Sequence, residues 1–255
     1  MSASFGSTLK QWRKTRRVSQ FDLGLSAQVS ARHISFLETG RARPSRDMVL
    51  RLSEELQIPL GARNHLLGAA GLAPAYPSDS LNEAALAPLK EAMTWMLERH
   101  APYPALALDR HWNLVSANAP AQMMLATAGV SEGDSLIQAL TANETLRDTL
   151  DNLEEVEALS LIRLRTELLH FGRDAVLEQA VAALEQRVSA HQTPLPAPLP
   201  AIIPARYRLN GQVLSFFSTM SQFATSGSVA MSELKIEMLF PADEETRVSV
   251  EALFE

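Results

Sequence analysis

One short stretch of the chain combines an arginine with small polar and apolar side chains at helical spacing. At about 100° per residue, Ile34 and Leu37 share one face, which is typical of a helix side that packs on a core. The opposite face carries Arg32, Ser35 and Phe36. An exposed arginine can form paired hydrogen bonds to guanine O6 and N7, and a serine hydroxyl can bond to a base edge. This face is therefore predicted to read the edges of DNA bases.

Two sets of DNA contacts are predicted around this helix. Arg32 is the candidate for guanine, and Phe36 or Ala31 is the candidate for a thymine methyl group. Polar residues beside the helix would lie where the phosphates run, and such contacts position a protein without reading sequence. The predicted base readers are Ala31, Arg32, Ser35 and Phe36, and the predicted contacts to the DNA backbone are Gln20, Ser30, Thr39, Arg41, Arg43 and Arg46.

The preceding residues predict a second short helix that would hold the first one in place. Ser19 can cap this helix, with Asp22 three residues later as its capping-box partner, and the helix ends near Ser26. A turn of residues 27–29 follows, and Ser30 can then cap the next helix. Two short helices joined by a three-residue turn are typical of the helix-turn-helix motif, whose second helix enters the major groove.

Charge is divided unevenly along the chain, whose net charge is −6. Residues 1–72 carry eleven Lys or Arg against five Asp or Glu, whereas the later residues carry 12 against 24. A basic head on an acidic body is expected when only one part of a protein meets phosphate. The alternative, a basic helical domain that binds protein, is disfavoured because periodicity, caps and charge all agree with DNA binding.

Residues 8–71 resemble the helix-turn-helix domains of the phage-repressor-like regulators of the XRE family. The matching positions are Ser-Gln at 19–20, Val-Ser at 29–30, Ile-Ser at 34–35 and Leu-Glu-Thr-Gly at 37–40. The resemblance implies an all-α domain of five helices. It also implies that the position of Gln20 contacts the DNA backbone, and that the positions of Ala31, Arg32 and Phe36 face bases.

The sequence departs from this family in the turn and in the helix before it. Gln28 stands where glycine is common, and Gly24 stands where alanine is usual. A non-glycine residue in the left-handed conformation costs about 1 kcal/mol. The resemblance therefore predicts a strained turn at Gln28.

The rest of the chain mixes strand and helix patterns. Apolar runs at 104–109 and 112–118 predict two strands around a turn, and Asn-Gly at 210–211 predicts a tight hairpin. Residues 233–240 alternate in polarity, which predicts a half-buried strand. Helices are predicted near 118–127, 134–150, 152–170, 174–190 and 243–254. The acidic run at 154–157 is predicted to solvate a helix face.

These patterns predict a multi-domain chain. An all-α helix-turn-helix domain at 1–72 is followed by a linker at 73–80 and by an α+β domain at 81–255. The α+β domain is expected to hold an antiparallel sheet of about five strands, an early pair and a late set of three, separated by a helical insert. The proline-rich stretch at 193–204 is predicted to be extended.

A sheet covered by helices on one face encloses a cavity easily, and flexible methionines give an adaptable lining. The alternative is that the same apolar residues are simply core. The predicted pocket residues are Leu106, Leu114, Met123, Met124, Tyr207, Phe217 and Met238, and the wider candidates are Met220, Phe216 and Phe223.

Residues 102–125 resemble the opening of the ligand-binding domain of the MmyB-like transcription regulators, which is PAS-like. The matching residues are Pro104-Ala105-Leu106, Asp109, Trp112 and Asn118. The resemblance implies a domain that senses an apolar small molecule, with a long-chain fatty acid among the examples. Residues that could meet a carboxylate are Arg163, Arg165, His170 and Tyr207, and the sequence does not choose among them.

Enzymatic chemistry is not expected. The chain has no cysteine, its six histidines lack metal-ligand spacing, and it has no nucleophile elbow, P-loop or Rossmann fingerprint. We therefore expect no cofactor and no metal. The absence of a signal peptide and of a long apolar run leads us to expect a soluble cytoplasmic protein with no membrane partner.

The patterns together predict a sequence-specific regulator of transcription that binds double-stranded DNA. It is expected to be a homodimer on a pseudo-palindromic operator, with activity modulated by a small apolar ligand such as a fatty acid in the C-terminal domain. The alternative is a constitutive repressor whose C-terminal domain only dimerises.

Overall fold

The computed structural model describes residues 4–77, 86–172, 174–190, 201–209, 211–223 and 227–254. Contacts divide the chain into two compact units. The first holds residues 1–79 together with 166–174 and 226–229, and the second holds the remaining residues. The predicted helical head falls in the first unit and the predicted sheet in the second.

Five helices lie between residues 5 and 69, all within the described part of the chain. They are α1 (Phe5–Thr15), α2 (Gln20–Ser26), α3 (Ala31–Glu38), α4 (Arg46–Glu55) and α5 (Leu60–Ala69). A serine caps each of the first four by accepting a hydrogen bond from the backbone N–H three residues later. Their apolar faces share one core, which includes Leu9, Trp12, Leu23, Ile34, Leu37, Leu52 and Leu66. The predicted five-helix head is confirmed.

The turn between α2 and α3 has the strained geometry that the resemblance predicts. Gln28 adopts φ +57°, the left-handed conformation that favours glycine. The backbone N–H of Val29 then donates to the Gly24 carbonyl over 2.8 Å, which folds the turn back onto α2. A Cβ atom on Gly24 would lie 2.7 Å from the Val29 carbonyl oxygen, so this close approach requires glycine.

The second unit contains one five-stranded antiparallel sheet within its described residues. Its strands are β1 (Ala105–Leu108), β2 (Leu114–Ala117), β3 (Ala205–Leu209), β4 (Gln212–Gln222) and β5 (Lys235–Pro241). They lie in the order β2-β1-β5-β4-β3, and each neighbouring pair is antiparallel. The predicted early pair and late set of three are confirmed, and β1 joins them by pairing with β5.

The second unit also contains helices. They are α6 (Ala87–Arg99), α7 (Ala119–Ala126), α8 (Leu136–Ala142), α9 (Glu144–Thr149), α10 (Leu153–Phe171), α11 (Ala175–Ala190), α12 (Val229–Ser232) and α13 (Glu244–Phe254). Those from α7 to α11 form the insert between β2 and β3. The sequence did not predict α6. The single helix predicted at 134–150 is wrong, because Asn143 ends α8 and its side chain caps α9.

The acidic run at the start of α10 is only partly solvated, which corrects the prediction for Glu157. This carboxylate is fully buried and accepts hydrogen bonds from Arg147 of α9 over 2.5 Å and from Arg187 of α11 over 2.6 Å. Burial disfavours its charged form, but the hydrogen bonds and charges of the two arginines outweigh burial and hold the pKa of Glu157 below its ordinary value. Glu157 therefore joins the helices of the insert.

Both faces of strand β5 carry buried residues, Ile236 on one face and Lys235 and Leu239 on the other, so the prediction of a half-buried strand is wrong. Ile236 and Met238 face a core formed with Met93 and Leu97 of α6. Side chains alternate along a strand, and the opposite face carries Lys235, Glu237 and Leu239. Lys235 is 1% exposed, and the other two residues line a cavity.

Three predicted segments lie partly outside the described residues. The linker at 73–80 is described to residue 77, and the proline-rich stretch at 193–204 is described from residue 201. Asn210 of the predicted hairpin lies outside, but its partner Gly211 has φ +81°, and β3 pairs with β4 on either side of it.

Candidate functional site

Helix α3 separates a buried face from an outward one as its spacing predicts. Ile34 and Leu37 have no exposed surface, whereas Arg32 is exposed and Phe36 is half-buried. The Ser30 hydroxyl accepts a hydrogen bond from the His33 N–H over 3.1 Å, which fixes the start of the helix. The core side chains therefore set the rotation of α3 and so decide which residues face outward.

An aromatic ring lies between two arginines on this outward face. The guanidinium carbon of Arg32 is 5.2 Å from the centre of the Phe36 ring, and that of Arg41 is 6.0 Å from it. Cations are attracted to the negative face of an aromatic ring. The Phe36 carbonyl also accepts hydrogen bonds from the backbone N–H groups of Arg41 and Ala42. Phe36 thus joins the predicted base-reading helix to the start of the predicted phosphate-contacting loop.

A buried carboxylate connects α3 with α1 and α2. Glu38 accepts hydrogen bonds from Arg13 over 2.6 and 3.0 Å and from the Gln20 side-chain amide over 2.7 Å. Burial disfavours the charged form, but the hydrogen bonds and the charge of Arg13 outweigh it and hold the pKa of Glu38 below its ordinary value. The sequence reasoning did not single out Arg13 or Glu38 as a pair, although Glu38 lies in the Leu-Glu-Thr-Gly motif.

The residues predicted to contact the DNA backbone differ in whether their side chains already bond to other parts of the protein. Gln20 is oriented by its bond to Glu38, and Thr39 donates its hydroxyl hydrogen to the Ser35 carbonyl over 2.8 Å. Arg41 and Arg43 are exposed. Arg46 instead donates to the carbonyls of residues 73 and 74 over 2.7 and 3.1 Å. Its guanidinium therefore has protein partners, and we do not retain it among the phosphate contacts.

The second unit contains a cavity of about 430 Å³. This volume lies within the range of small-molecule pockets, which is roughly 300–1,000 Å³. The sheet forms one wall, and the insert helices supply an apolar lining opposite it. The helical lining includes Met124, Leu125, Leu136, Ile137, Leu140, Leu146, Val156 and Leu159, and Leu150 follows directly after α9.

Four of the seven predicted pocket residues lie in the cavity wall, namely Leu106, Met124, Tyr207 and Phe217. The ring of Phe217 also stacks on that of Phe240, which does not line the cavity, with 5.5 Å between the ring centroids. Among the wider candidates, Phe216 lies in the wall and Met220 and Phe223 do not.

The other three predicted pocket residues are corrected. Met238 packs on the α6 side of the sheet, because the cavity lies on the face of Glu237 and Leu239. Met123 is 49% exposed, since one residue along α7 turns it about 100° away from Met124. Leu114 is buried in the core but lies outside the cavity wall.

Two described residues of the cavity wall form an ion pair. Arg163 of α10 donates to Glu237 of β5 over 3.2 Å, and its guanidinium lies 5.3 Å from the Trp112 ring centre. Burial and the negative charge of Glu237 raise the pKa of Tyr207, whose hydroxyl therefore stays protonated. Of the carboxylate-binding candidates left open by the sequence, Arg163 and Tyr207 line the cavity. Arg165 and His170 do not.

The residues that carry the C-terminal resemblance position this wall. Trp112 has φ +65°, and the turn around it is held by Asp109, whose carboxylate accepts hydrogen bonds from the N–H groups of His111 and Asn113 over 2.8 and 2.9 Å. Asn118 caps α7 and also accepts a hydrogen bond from the Ala105 N–H over 2.9 Å. These polar side chains fix the ends of β1 and β2, and Trp112 supplies part of the lining.

The described residues include neither a metal-binding cluster nor a helix that could span a membrane. None of their His, Asp and Glu side chains form a group that could hold a metal ion. Within the same ranges, none of the helices is both long and apolar enough to cross a membrane.

Comparison with known families agrees with both units. A model of the helix-turn-helix domain matches residues 4–66, and a model of the MmyB-like transcription regulator ligand binding domain matches residues 89–253. No curated protein matched the chain. The second match covers more than half of the chain. The chain therefore belongs to the family of MmyB-like transcription regulators, and it is a DNA-binding regulator that carries a ligand-binding domain.

Proposed function

We propose that this regulator is of the XRE type and binds, as a homodimer, to a pseudo-palindromic operator in double-stranded DNA. The orientation of α3 is the observation that carries the proposal. Its Ile34 and Leu37 are fully buried, and the opposite face presents Arg32 and Phe36 outward. A short capped helix with such a face fits the major groove of B-DNA.

Each residue of this face has a proposed partner on the DNA. Arg32 bonds guanine O6 and N7, Ser35 bonds a base edge, and Ala31 or Phe36 contacts a thymine methyl group. The phosphates are contacted from the start of α2, from both ends of α3 and from the loop after it, by Gln20, Ser30, Thr39, Arg41 and Arg43.

The dimer follows from the way such helices read DNA. Two heads about 34 Å apart would meet two half-sites one helical turn apart, and the phosphate contacts would double. Beyond residue 72 the chain has an excess of acidic residues, which disfavours contact with DNA. We therefore assign the dimer contact to the C-terminal domain.

The cavity is the proposed effector site, and the second unit acts by binding rather than by catalysis. Its mostly apolar wall suits an apolar small molecule, and the family resemblance suggests a long-chain lipid such as a fatty acid. By linkage, a ligand that prefers the arrangement unable to bind DNA weakens DNA binding by the same free energy. A difference of about 2 kcal/mol changes occupancy by roughly thirtyfold.

Selection of bound DNA from a random pool tests the DNA-binding proposal. We expect one consensus with two inverted half-sites about one turn apart. In Arg32→Ala, the preference at one base pair of each half-site should relax, at a cost of about 1–3 kcal/mol. In the matched variant Arg43→Ala, all sequences should bind more weakly, and the salt dependence should become shallower. A uniform loss in both variants would contradict the assigned face of α3.

Removal of bound lipid tests the effector proposal. Delipidated full-length protein should bind its operator with an affinity that changes when metabolites extracted from the native protein are returned. Identical affinity with and without every extract would support the constitutive repressor, whose C-terminal domain only dimerises.

A further inference from the structure

The described residues of the cavity wall carry one positive and one negative charge. Among the described residues that line it, only Arg163 and Glu237 carry a formal charge, and their side chains are joined over 3.2 Å. Tyr207 is neutral, because burial and Glu237 raise its pKa. The other described side chains of the wall are apolar or uncharged.

The charges behind the wall also balance. Trp112, which lines the cavity, has a second cation over its ring, the Lys235 Nζ at 4.3 Å. Lys235 is buried and donates to the Arg110 carbonyl over 3.3 Å, and Arg110 forms an ion pair with Glu233. Asp109, in the same turn, supplies the second negative charge. Lys235 and Arg110 thus bring two positive charges and Glu233 and Asp109 two negative charges, so these four residues together add no net charge behind the wall.

A ligand that carries its own charge would break this balance. An ionised carboxylate beside Arg163 would add a second negative charge next to Glu237 in an apolar surrounding, and buried like charges are unfavourable. An ammonium group would likewise add a second positive charge next to Arg163, which is also unfavourable. A neutral group that both donates and accepts hydrogen bonds can donate to the Glu237 carboxylate and accept from Arg163 while the ion pair stays intact.

We infer that the cavity takes an uncharged amphiphile, with an apolar body among the leucines of the insert helices and a neutral donor–acceptor head at the Arg163–Glu237 pair. This inference rests on the proposed function of the cavity as the effector site. A fatty alcohol or a primary amide meets the requirement directly. A fatty acid meets it only in its protonated form.

A matched series of ligands tests the inference on delipidated full-length protein. Decanol, decanamide, decanoate and decylamine share one chain and differ in the charge of the head, so their affinities by titration calorimetry at pH 7 can be compared directly. We expect the alcohol and the amide to bind at least about tenfold more tightly than the two charged probes. Tightest binding of decanoate would overturn the inference while leaving the effector site in place. If none of the four binds, the effector function itself is overturned, and the inference with it.

Two variants change the net charge of the cavity wall in opposite directions. In Glu237→Gln, Arg163 loses its carboxylate partner, so decanoate should become the preferred ligand. In Arg163→Gln, decylamine should gain instead. Glu185→Gln is the matched control, because it removes the carboxylate partner of Arg165 outside the cavity wall and outside the charges behind it, and the order of affinities should not change. If one cavity variant does not fold, the other still decides. An unchanged order in a folded cavity variant would refute the inference.

Discussion

Loss of the Glu38 carboxylate should destabilise the helix-turn-helix domain strongly. The Glu38 side chain is 2% exposed and that of Arg13 is 11% exposed, so removal of the carboxylate leaves a guanidinium without its charge partner in a nearly buried position. Breaking a buried ion pair from one side costs about 3–5 kcal/mol. We expect a loss of that size in Glu38→Ala. In Glu38→Gln the loss should be about 1.5–3 kcal/mol, because the amide oxygen still accepts a hydrogen bond from Arg13.

Hydrogen exchange of the full-length chain, read by mass spectrometry, measures this loss locally. Peptides from α1 and α3 report the opening free energy of the first unit without requiring the whole chain to unfold in one step. Because the folded pKa of Glu38 is lowered, its stabilisation is complete above the ordinary value of 4.5 and disappears as the pH falls through the lower folded pKa. The difference between the native chain and Glu38→Gln should therefore be largest near neutral pH and shrink in acid.

Glu54→Ala provides the control for this experiment. Glu54 is an exposed carboxylate on α4, and its removal should change the opening free energy by no more than about 0.5 kcal/mol. Equal protection in Glu38→Ala and Glu54→Ala would refute the argument that Glu38 joins α3 to α1. A difference that stays constant from pH 7 to strongly acidic pH would refute the assigned charge state.

Two further predictions concern the turn and the helical insert. Gln28→Gly should raise the stability of the first unit by about 0.5–1 kcal/mol, because glycine removes the cost of φ +57°, and a lower denaturation midpoint would contradict this reasoning. Glu157→Ala should cost about 3–5 kcal/mol, because it leaves Arg147 and Arg187 without their buried carboxylate, and hydrogen exchange should rise in α9 and α11. A loss below about 1 kcal/mol there would show that the two arginines find other partners.

The head was predictable from sequence because its signals are local. Ser19 and Ser30 mark helix starts through hydrogen bonds that span three residues, and the spacing of Ile34 and Leu37 fixes which side of α3 is buried. The bond between Arg13 and Glu38 was not predictable in the same way. It joins residues 25 positions apart, and no local pattern distinguishes a buried glutamate from an exposed one at that position.

The cavity, in contrast, depends mainly on contacts between residues that lie far apart in the sequence. The alternation at 233–240 identified β5 correctly, but a strand pattern gives only two alternating faces and does not say what covers each one. The position of α6 under Met238 and of α10 over Glu237 decided which face lines the cavity. The position of α10 also decided that Arg163 lines the cavity and Arg165 does not, a choice that the sequence left open.

The sequence by itself determined the helix-turn-helix of the head, the rotation of α3, the division of charge between head and body, and the positions of the two hairpins that enter the sheet. Each of these depends on neighbours within a few residues or on overall composition. Only the tertiary structure decided that Lys235 and Glu157 are buried charges and that Glu237 pairs with Arg163 among the described residues of the cavity wall. The physical reason is that a charged side chain is stable inside a protein only beside its partner, and these partners come from distant elements of the chain.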